Sequence, residues 1–417
     1  MWLSGHVLLV ALSVLLIEPI VRVARPQSQL VRDYVAIDPD IGPVSRANAD
    51  YYDTKGREKW GYDYHVRTNN LGLRMNYDVS AETAESERRV LFLGNSIVFG
   101  WGNELDNTFY GHLYENFRKQ DTTVMNGGYG TYSTGHCRKF AKRLLARVDI
   151  SNIVSFLSAG DMRNNLRRSS DYQVYRYDIK DGGQVNLNPV KVFSPWKRWL
   201  YMHSPYSWLN RHSHAFVYFK KFLKQGLSSA GDAVDRAITM AATPDSPEDG
   251  GDSSESVAMS ESGTPDKKTA QAEIQVEYTG GWNKKELKKA WLVTRAHLRA
   301  FKNMCRENGS DFVIVWLPSS REFLTGKGSS GAEMLKRRLR ESFGTAFIDT
   351  VAECADETDG LEHTDLFYGD WHWKPKTNRI FADSLEIPLA KRINGHNVPQ
   401  MVKVSKKHES GTEQTNN

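Results

Sequence analysis

The chain has 417 residues, of which 40% are hydrophobic and 25% charged, and a formal net charge of +5. This length can bury a large core, and about 250 residues suffice for one doubly wound domain. The mild, scattered cationic excess predicts solvated faces, with attraction to anionic lipid or glycan left open, and argues against a nucleic-acid partner. Three cysteines, Cys137, Cys305 and Cys354, lack the spacing of a metal site or a disulfide framework, and the first two fall in helical patterns typical of core positions.

The amino terminus is a candidate membrane segment. Residues 2–17 contain no acidic or basic side chain apart from one histidine, and Glu18, Pro19, Arg22 and Arg25 close the run. The run approaches the ~20 residues that span a bilayer, and it lacks the basic start and cleavage site of a signal peptide. We therefore expect residues 1–25 to be a single-pass anchor. Its flanking arginines, counted alone, favour a cytoplasmic side for the residues that follow.

Residues 26–85 are polar, aromatic and punctuated by Gly and Asp, which predicts an irregular segment wrapping the domain edge. A buried strand at 90–93 then opens the first half of the main domain, residues 86–170. Gly94 allows a sharp turn, and Ser96 follows at the carboxyl end of the strand, where open α/β sheets bind ligands. Ser96 is therefore a candidate nucleophile, and the alternative is a simple helix N-cap.

Strands and helices alternate along the rest of the chain. After Ser96 we expect helices around Phe109–Phe117 and Phe140–Leu145, and buried strands at 124–125, 153–157, 312–317 and 346–348. A long helix is expected over Lys284–Glu307, and the second half of the domain spans residues 276–395. This alternation predicts an α/β fold in which helices cover both faces of a mainly parallel five-stranded sheet, a three-layer α/β/α arrangement.

An insertion separates the two halves. Within residues 171–225 we expect a hairpin at 172–187, turning at Asp181-Gly182-Gly183, followed by an aromatic and basic helical segment at 192–224. That segment is expected to pack against the domain. The alternatives are a lid over the active site and a surface that faces a membrane. Residues 226–275 and 396–417 have few large apolar side chains and are expected to be a disordered linker and tail.

A second polar motif lies near the end of the domain. Asp370 and His372 stand on a loop before Pro375 and an amphipathic helix. A serine nucleophile needs a base that accepts its proton and a carboxylate that orients this base, and the pair could supply both. The alternative is a solvated surface loop. His363 is the next candidate base if His372 proves remote.

Taken together, these motifs resemble the SGNH/GDSL hydrolase family, whose serine lies near the start of the domain and whose Asp/His pair lies near its end. TNNLGLRM at 68–75 resembles the NxxGxR segment of membrane-anchored bacterial members, and residues 98–117 resemble the stretch that follows the serine. NGGYGTYST at 126–134 and FLSAGDMRNNL at 156–166 stand where the second and third blocks belong. The resemblance covers roughly residues 60–170 and 285–390 and implies a flavodoxin-like SGNH fold with an extracytoplasmic, periplasmic domain.

The resemblance assigns Ser96, His372 and Asp370 to catalysis and places Asn95, Asp161 and His136 along the groove. For His136, an ordinary surface or satisfied core position is the alternative. In the family, a backbone amide of the serine, a glycine of the second block and an asparagine of the third block hold the oxyanion. Here Thr131 takes the glycine's place, with Gly130 one residue earlier. Gly160 takes the asparagine's place, and Asn164, Asn165 or a backbone amide near Gly160 are the candidate substitutes. Asn95 also replaces the usual Asp of GDS, and His372 follows Asp370 by two residues rather than three.

The resemblance implies hydrolysis of acyl esters, O-acetyl esters included, of an envelope saccharide or lipid through an acyl-enzyme on Ser96, with no cofactor and no metal. Two alternatives stay open. The same serine could pass the acyl group to a sugar hydroxyl, as an O-acetyltransferase does. The altered oxyanion positions also fit a catalytically degenerate scaffold that binds envelope glycan.

Overall fold

The buried apolar runs form the strands of one parallel sheet in the computed structural model, which describes residues 16–24, 32–54, 56–82, 87–130, 132–166, 174–190, 192, 199, 204–222 and 283–394. The five strands of this sheet are β5 (Arg88–Leu93), β6 (Thr122–Asn126), β7 (Asn152–Leu157), β10 (Asp311–Trp316) and β11 (Phe347–Ile348). Each overlaps a strand that the sequence predicts. Nearly every residue of β5, β7 and β10 is buried, because helices cover both faces of the sheet.

The strand order determines where a ligand can bind. The sheet runs β11-β10-β7-β5-β6, and every neighbouring pair is parallel. Counted along the chain, this is the doubly wound order 2-1-3-4-5. The order reverses between β5 and β7, and the crevice at the carboxyl ends of these two strands is the expected binding position in such a sheet. Ser96 follows β5 at this edge. The strand order and the parallel pairing confirm the predicted five-stranded parallel core.

Helices connect the strands and cover the sheet. The first three helices along the chain are the helical residues 16–24 (α1), α2 (Arg57–Trp60) and α3 (Ser96–Phe99). The helices that follow along the chain are α4 (Phe109–Arg118), α5 (Thr134–Leu145), α6 (Ala159–Asn164), α7 (Ser204–His212), the helical residues 214–222 (α8), α9 (Lys284–Glu307), α10 (Ser320–Thr325), α11 (Ser330–Phe343), α12 (Val351–Asp356), α13 (His363–Leu366) and α14 (Pro375–Ile393).

The helices pack in pairs, α4 with α14 and α5 with α9. Aromatic side chains connect one of these layers to the sheet: the ring centre of Phe109 on α4 lies 5.1 Å from that of Phe156 on β7 and 5.2 Å from that of Phe381 on α14. Such aromatic contacts add to the free energy gained by burying the rings. The three cysteines are buried and unpaired, in agreement with the core positions expected of Cys137 and Cys305.

The segment before the sheet is more regular than the sequence suggests. Residues 26–85 were expected to be irregular, yet they contain two antiparallel ribbons, β1 (Val35–Asp38) with β2 (Gly42–Ser45) and β3 (Asp50–Asp53) with β4 (Tyr64–Arg67). The expectation of irregular structure is therefore wrong here. These strands are only four residues long and rich in polar side chains, so the sequence pattern does not predict them. Contacts with the main domain stabilise them.

The hairpin of the insertion is confirmed. Strands β8 (Tyr175–Ile179) and β9 (Val185–Pro189) pair antiparallel around a turn in which Gly182 and Gly183 have positive φ. The expected linker at 226–275 and the tail at 396–417 lie outside the described residues. So do residues 1–15 of the expected anchor. Among the helices of the described part, none has the length and apolar character needed to cross a bilayer.

Candidate active site

The turn after β5 positions the Ser96 hydroxyl. A Cβ on Gly94 would lie 2.4 Å from the Val98 side chain, so only glycine fits the turn. Asn95 is the N-cap of α3 and accepts a hydrogen bond from the Ile97 amide at 2.9 Å. Ser96 is therefore the first helical residue, and its side chain lines a cavity at the edge of the sheet.

Asn95 is held in place by a buried carboxylate. Its side-chain amide donates to both oxygens of Asp161, at 3.0 and 3.1 Å, and Asp161 also accepts from the amide and hydroxyl of Ser158. Burial raises the pKa of Asp161, and the hydrogen bonds that its carboxylate accepts offset only part of this rise. An aspartate at position 95 would place a second carboxylate against Asp161, and asparagine supplies a donor instead. Asparagine therefore suits position 95. The expectation that Asp161 lies along the groove is wrong: its buried carboxylate does not line the cavity and instead supports Asn95 from behind.

The loop before α14 brings an imidazole to Ser96. His372 Nε2 lies 2.9 Å from Ser96 Oγ, although the two residues are 276 positions apart. Its Nδ1 lies 2.9 Å from Asp370 Oδ2, but the Nδ1–H bond is not directed at this oxygen. Contacts of this kind commonly tighten when substrate binds. Ser96, His372 and Asp370 thus form one connected group.

The Asp-x-His spacing depends on the residue between them. Trp371 has a φ of +68°, a left-handed conformation that is uncommon for a bulky residue. Its amide donates to the Tyr368 carbonyl, and the Tyr368 amide donates to the His372 carbonyl, both at 2.9 Å. This tight turn orients Asp370 and His372 toward each other across one intervening residue. The two-residue spacing is accommodated by the turn.

Two aromatic residues that the sequence analysis did not single out complete the group. The Tyr62 hydroxyl donates to Asp370 Oδ2 at 2.5 Å, and Trp101 Nε1 donates to the Tyr62 oxygen at 2.9 Å. The Trp101 ring also stacks on His372, with 5.9 Å between ring centres and 20° between planes. Burial raises the pKa of Asp370, whereas its contacts with His372 and Tyr62 lower it, and the net direction is down. The carboxylate is thereby kept ionised beside the imidazole.

The NxxGxR segment acts from beneath the site. The Arg74 guanidinium is fully buried and donates to four carbonyls, those of Phe99, Gly100, His65 and Asn103, at 2.6–3.0 Å. Two of these carbonyls end α3, so the cation also complements the negative end of that helix. Asn103 in turn donates to the Trp373 carbonyl at 2.7 Å and thereby connects the serine segment to the histidine loop.

The expected oxyanion residues are only partly in position. Gly130 and Asn164 do not line the cavity, and Thr131 lies outside the described residues. The Asn165 side chain is not free to hold the oxyanion, because its amide donates to Thr134 and Thr294 in the core. The alternative of a backbone amide near Gly160 has more support, since Gly160 lines the cavity beside Ser96. Within the described part of the chain, neither the Ser96 nor the Gly160 amide donates a hydrogen bond.

Two further histidines considered as site residues lie outside the catalytic group. His136 was expected along the groove, but it is buried at the start of α5, where its Nδ1 contacts Ser133 and its ring stacks on Tyr132. Burial, followed by the nearby Lys139, lowers the pKa of His136 to about 3. The expectation for His136 is wrong, because its side chain caps a helix. His363, the alternative base, packs between Phe367 and Trp371.

The cavity has a volume of about 110 Å³. Apolar and polar side chains share its wall, and the residues that bear on the chemistry are Asn95, Ser96, Gly160, Asp370 and His372. The far end is formed by the starts of α10 and α11, with Ser319, Glu322 and Ser329. No group of three or more His, Cys, Asp or Glu side chains in the described residues is arranged to hold a metal ion.

Comparison with known families yields no matching family model. No curated protein matches the sequence. Among solved structures, a protein described as an acylhydrolase, from Bacteroides fragilis, aligns with 75% of this chain and 91% of its own at 9% identity and a TM-score of 0.33. A catalytic mutant of an acetylxylan esterase from Geobacillus stearothermophilus aligns with 75% of this chain and 97% of its own, at 10% identity and the same TM-score. Values this low assign neither a family nor an activity to the chain.

Proposed function

We propose that the protein is a serine esterase that cleaves acyl esters through an acyl-enzyme on Ser96. The observation that carries this proposal is the 2.9 Å contact between Ser96 Oγ and His372 Nε2, with Asp370 on the other side of the ring. A serine hydroxyl becomes a useful nucleophile when a neighbouring base accepts its proton. The cavity beside Ser96 offers room for an ester at this point.

In the proposed first step, Ser96 Oγ attacks the ester carbonyl carbon while His372 Nε2 takes the hydroxyl proton. The tetrahedral intermediate then collapses, the bond to the alcohol oxygen breaks, and His372 returns the proton to the leaving alcohol. Water attacks the acyl-serine in the same way and releases the carboxylic acid. Asp370 orients the imidazole and stabilises the imidazolium that forms in both halves.

The oxyanion of the intermediate is proposed to accept hydrogen bonds from the backbone amides of Ser96 and Gly160. Both residues line the cavity, and both amides lack an acceptor among the described residues. A fixed amide in a site that excludes water stabilises developing negative charge effectively. The glycine that replaces the family's asparagine would thus contribute its main-chain donor in place of a side-chain amide.

The proposed substrate is an ester-bearing saccharide or lipid of the cell envelope. The amino-terminal apolar segment is proposed to hold the chain at a membrane. The catalytic domain is proposed to lie on the extracytoplasmic side. The uncharged run at residues 2–17 supports the membrane location. Within the described residues, the aromatic insertion contributes no side chain to the cavity wall.

The test is hydrolysis of p-nitrophenyl acetate by the full chain in detergent, with Ser96→Ala as the matched control. We expect release of p-nitrophenol that disappears in the variant, and labelling of Ser96 by a fluorophosphonate. Acetylated product formed with an added sugar acceptor would identify the transferase alternative. Activity that survives Ser96→Ala would overturn the mechanism, and absence of both turnover and labelling would favour the glycan-binding scaffold.

A further inference from the structure

The exposed apolar side chains of the described residues are concentrated on three helices. Of the ten large hydrophobic residues that are exposed there, six belong to α1, α7 and α8: Leu16, Ile20, Val23, Trp208, Phe219 and Phe222. We call these six residues the apolar platform. Single exposed apolar residues need no explanation, but a concentration of this kind typically indicates a surface that contacts something other than water.

Helix α1 has two different faces. Leu16, Ile20 and Val23 are spaced by four and three residues and therefore share one face, with exposed fractions of 73%, 65% and 84%. Glu18 and Arg22 lie on the opposite face. The side that contacts protein carries Glu18 together with the buried Val21. Helix α1 therefore presents apolar side chains on its exposed side as well as on the side packed against protein, whereas a helix on a water-soluble domain exposes a polar face.

A polar contact fixes α1 to the insertion. The Glu18 carboxylate accepts hydrogen bonds from the Ser213 hydroxyl at 2.7 Å and from the His214 and Ala215 amides at 3.0 Å, and so caps the start of α8. Arg22 donates to the His212 carbonyl at 2.9 Å. An anion at a helix N-terminus is favourable, so this contact holds the three helices in one unit.

The apolar face of α8 continues from this contact. Ala215, Phe219 and Phe222 recur at the four- and three-residue spacing of one helix face. Ala215 is fully buried where α1 docks, whereas Phe219 and Phe222 are exposed further along. Helix α7 adds Trp208 and is attached to the domain through Arg211, which donates to the carbonyls of Asp33 and Val35. The platform is therefore fixed to the domain body as well as to α1.

We infer that the apolar platform rests in the surface of a lipid bilayer and holds the domain at a set orientation to it. The inference rests on the membrane attachment proposed above and extends it, because it makes the insertion a second point of contact with lipid.

Two observations favour lipid over a second copy of the chain. The uncharged run of residues 2–17 leads directly into Leu16 and α1. The three helices also contain four cations, Arg22, Arg211, Lys220 and Lys221, against the single carboxylate of Glu18. An aromatic and apolar face beside lysines and arginines is typical of helices that lie in an anionic interface.

The experiment uses an environment-sensitive label on the full chain. Phe222→Cys is labelled with an NBD fluorophore, and Ile387→Cys, an exposed apolar position on α14, is the matched control; the three native cysteines are buried. The proteins are reconstituted into vesicles of phosphatidylcholine and phosphatidylglycerol in a three-to-one ratio. We expect the label at 222 to brighten several-fold and to shift to the blue, and the label at 387 to stay as in water. Phe219→Cys serves as a second variant if Phe222→Cys does not fold.

Flotation and esterase activity are measured on the same samples. A chain that floats with the vesicles while the label at 222 stays in water overturns the platform and leaves the anchor standing. A chain that does not float overturns both. A blue shift without lipid that grows with protein concentration overturns the inference in favour of self-association. Hydrolysis of p-nitrophenyl acetate reports separately on the Ser96 mechanism.

Discussion

The Tyr62 hydroxyl and the Asp370 carboxylate are hydrogen-bonded at 2.5 Å, although 308 positions separate them in the chain. The acceptor, Oδ2, is the oxygen that also lies 2.9 Å from His372 Nδ1. Tyr62 therefore holds the carboxylate in the position from which it can orient the imidazole. Its own position is fixed by Trp101, which donates to the same phenol oxygen.

Replacement of Tyr62 by phenylalanine removes this hydrogen bond and keeps the ring. A hydrogen bond to a charged group is worth about 1.5–3 kcal/mol, so we expect kcat to fall by about ten- to a hundredfold while KM changes little. Steady-state kinetics on p-nitrophenyl acetate measures both. The control is Tyr368→Phe, since the Tyr368 ring packs edge-on against Tyr62, with 4.9 Å between ring centres, but its hydroxyl makes no hydrogen bond with the described residues. A loss in Tyr62→Phe no larger than that in Tyr368→Phe would show that the hydrogen bond to Asp370 does not contribute to kcat.

The sequence was sufficient to predict the sheet from its buried runs, and the pairing of Ser96 with His372 from the resemblance of their motifs to a known family. Buried runs such as 153–157 and 312–317 can form only interior strands, and parallel strands bring their carboxyl ends to one edge. The hairpin turn at Asp181-Gly182-Gly183 could also be predicted from the sequence, because glycine readily adopts the positive φ that such turns need and that both glycines have here.

The support of the site could not be predicted in this way. Tyr62 lies in a segment of short strands whose pattern carries no signal, and its contact with Asp370 exists only in the folded chain. The groove position predicted for His136 is wrong for a related reason: it came from the resemblance to a family, but the ring caps α5. Side-chain direction within a helix turn decides such cases, and spacing alone does not report it.

Arg74 stabilises the fold that presents the nucleophile. Four carbonyls accept from its guanidinium in the interior, and a lysine has too few donors, in the wrong geometry, to satisfy them all. We expect Arg74→Lys to destabilise the protein by about 2–4 kcal/mol, since buried carbonyls would lose their donors. Urea unfolding measures this change. Arg337→Lys, an exposed ion pair with Glu341 at 3.9 Å, is the control and should have little effect. A loss in Arg74→Lys no larger than in the control would contradict this role.

A buried imidazole makes the stability depend on pH. Burial, then the charges of Arg138 and His136, lowers the pKa of His297 from its usual 6.5 to about 3. Because this pKa is lower in the folded state, the unfolded chain binds more protons below pH 6.5, and stability falls as the pH drops from there toward 3. Between pH 7 and pH 5 this single residue should account for about 2 kcal/mol. Urea unfolding of His297→Leu at both pH values should show a difference smaller by that amount. An unchanged difference would mean that His297 is protonated in the folded state.

The Gly160 amide offers a direct test of the proposed oxyanion hole. Gly160 is the second residue of α6, and a proline is tolerated in the first turn of a helix but lacks the N–H. We expect Gly160→Pro to lower kcat by about 10²–10³, the usual effect of losing one oxyanion donor. Gly160→Ala keeps the N–H and is the matched control, and circular dichroism checks that both variants are folded. Similar kcat values in the two variants would remove Gly160 from the mechanism.

Trp371 offers a separate measure of the strain on which the Asp-x-His turn depends. Its φ of +68° costs a side-chain-bearing residue about 1–2 kcal/mol relative to glycine. Trp371→Ala and Trp371→Gly both remove the indole from the cavity wall, and they differ in this strain and in the greater chain entropy that glycine loses on folding. We expect the glycine variant to be the more stable of the two by about 1 kcal/mol in urea unfolding. Kinetics should show the opposite order, with the lower kcat in the glycine variant, because a more flexible turn holds His372 less firmly against Ser96. A glycine variant no more stable than the alanine variant would mean that the turn relaxes in solution, and the spacing of Asp370 and His372 would then need another explanation.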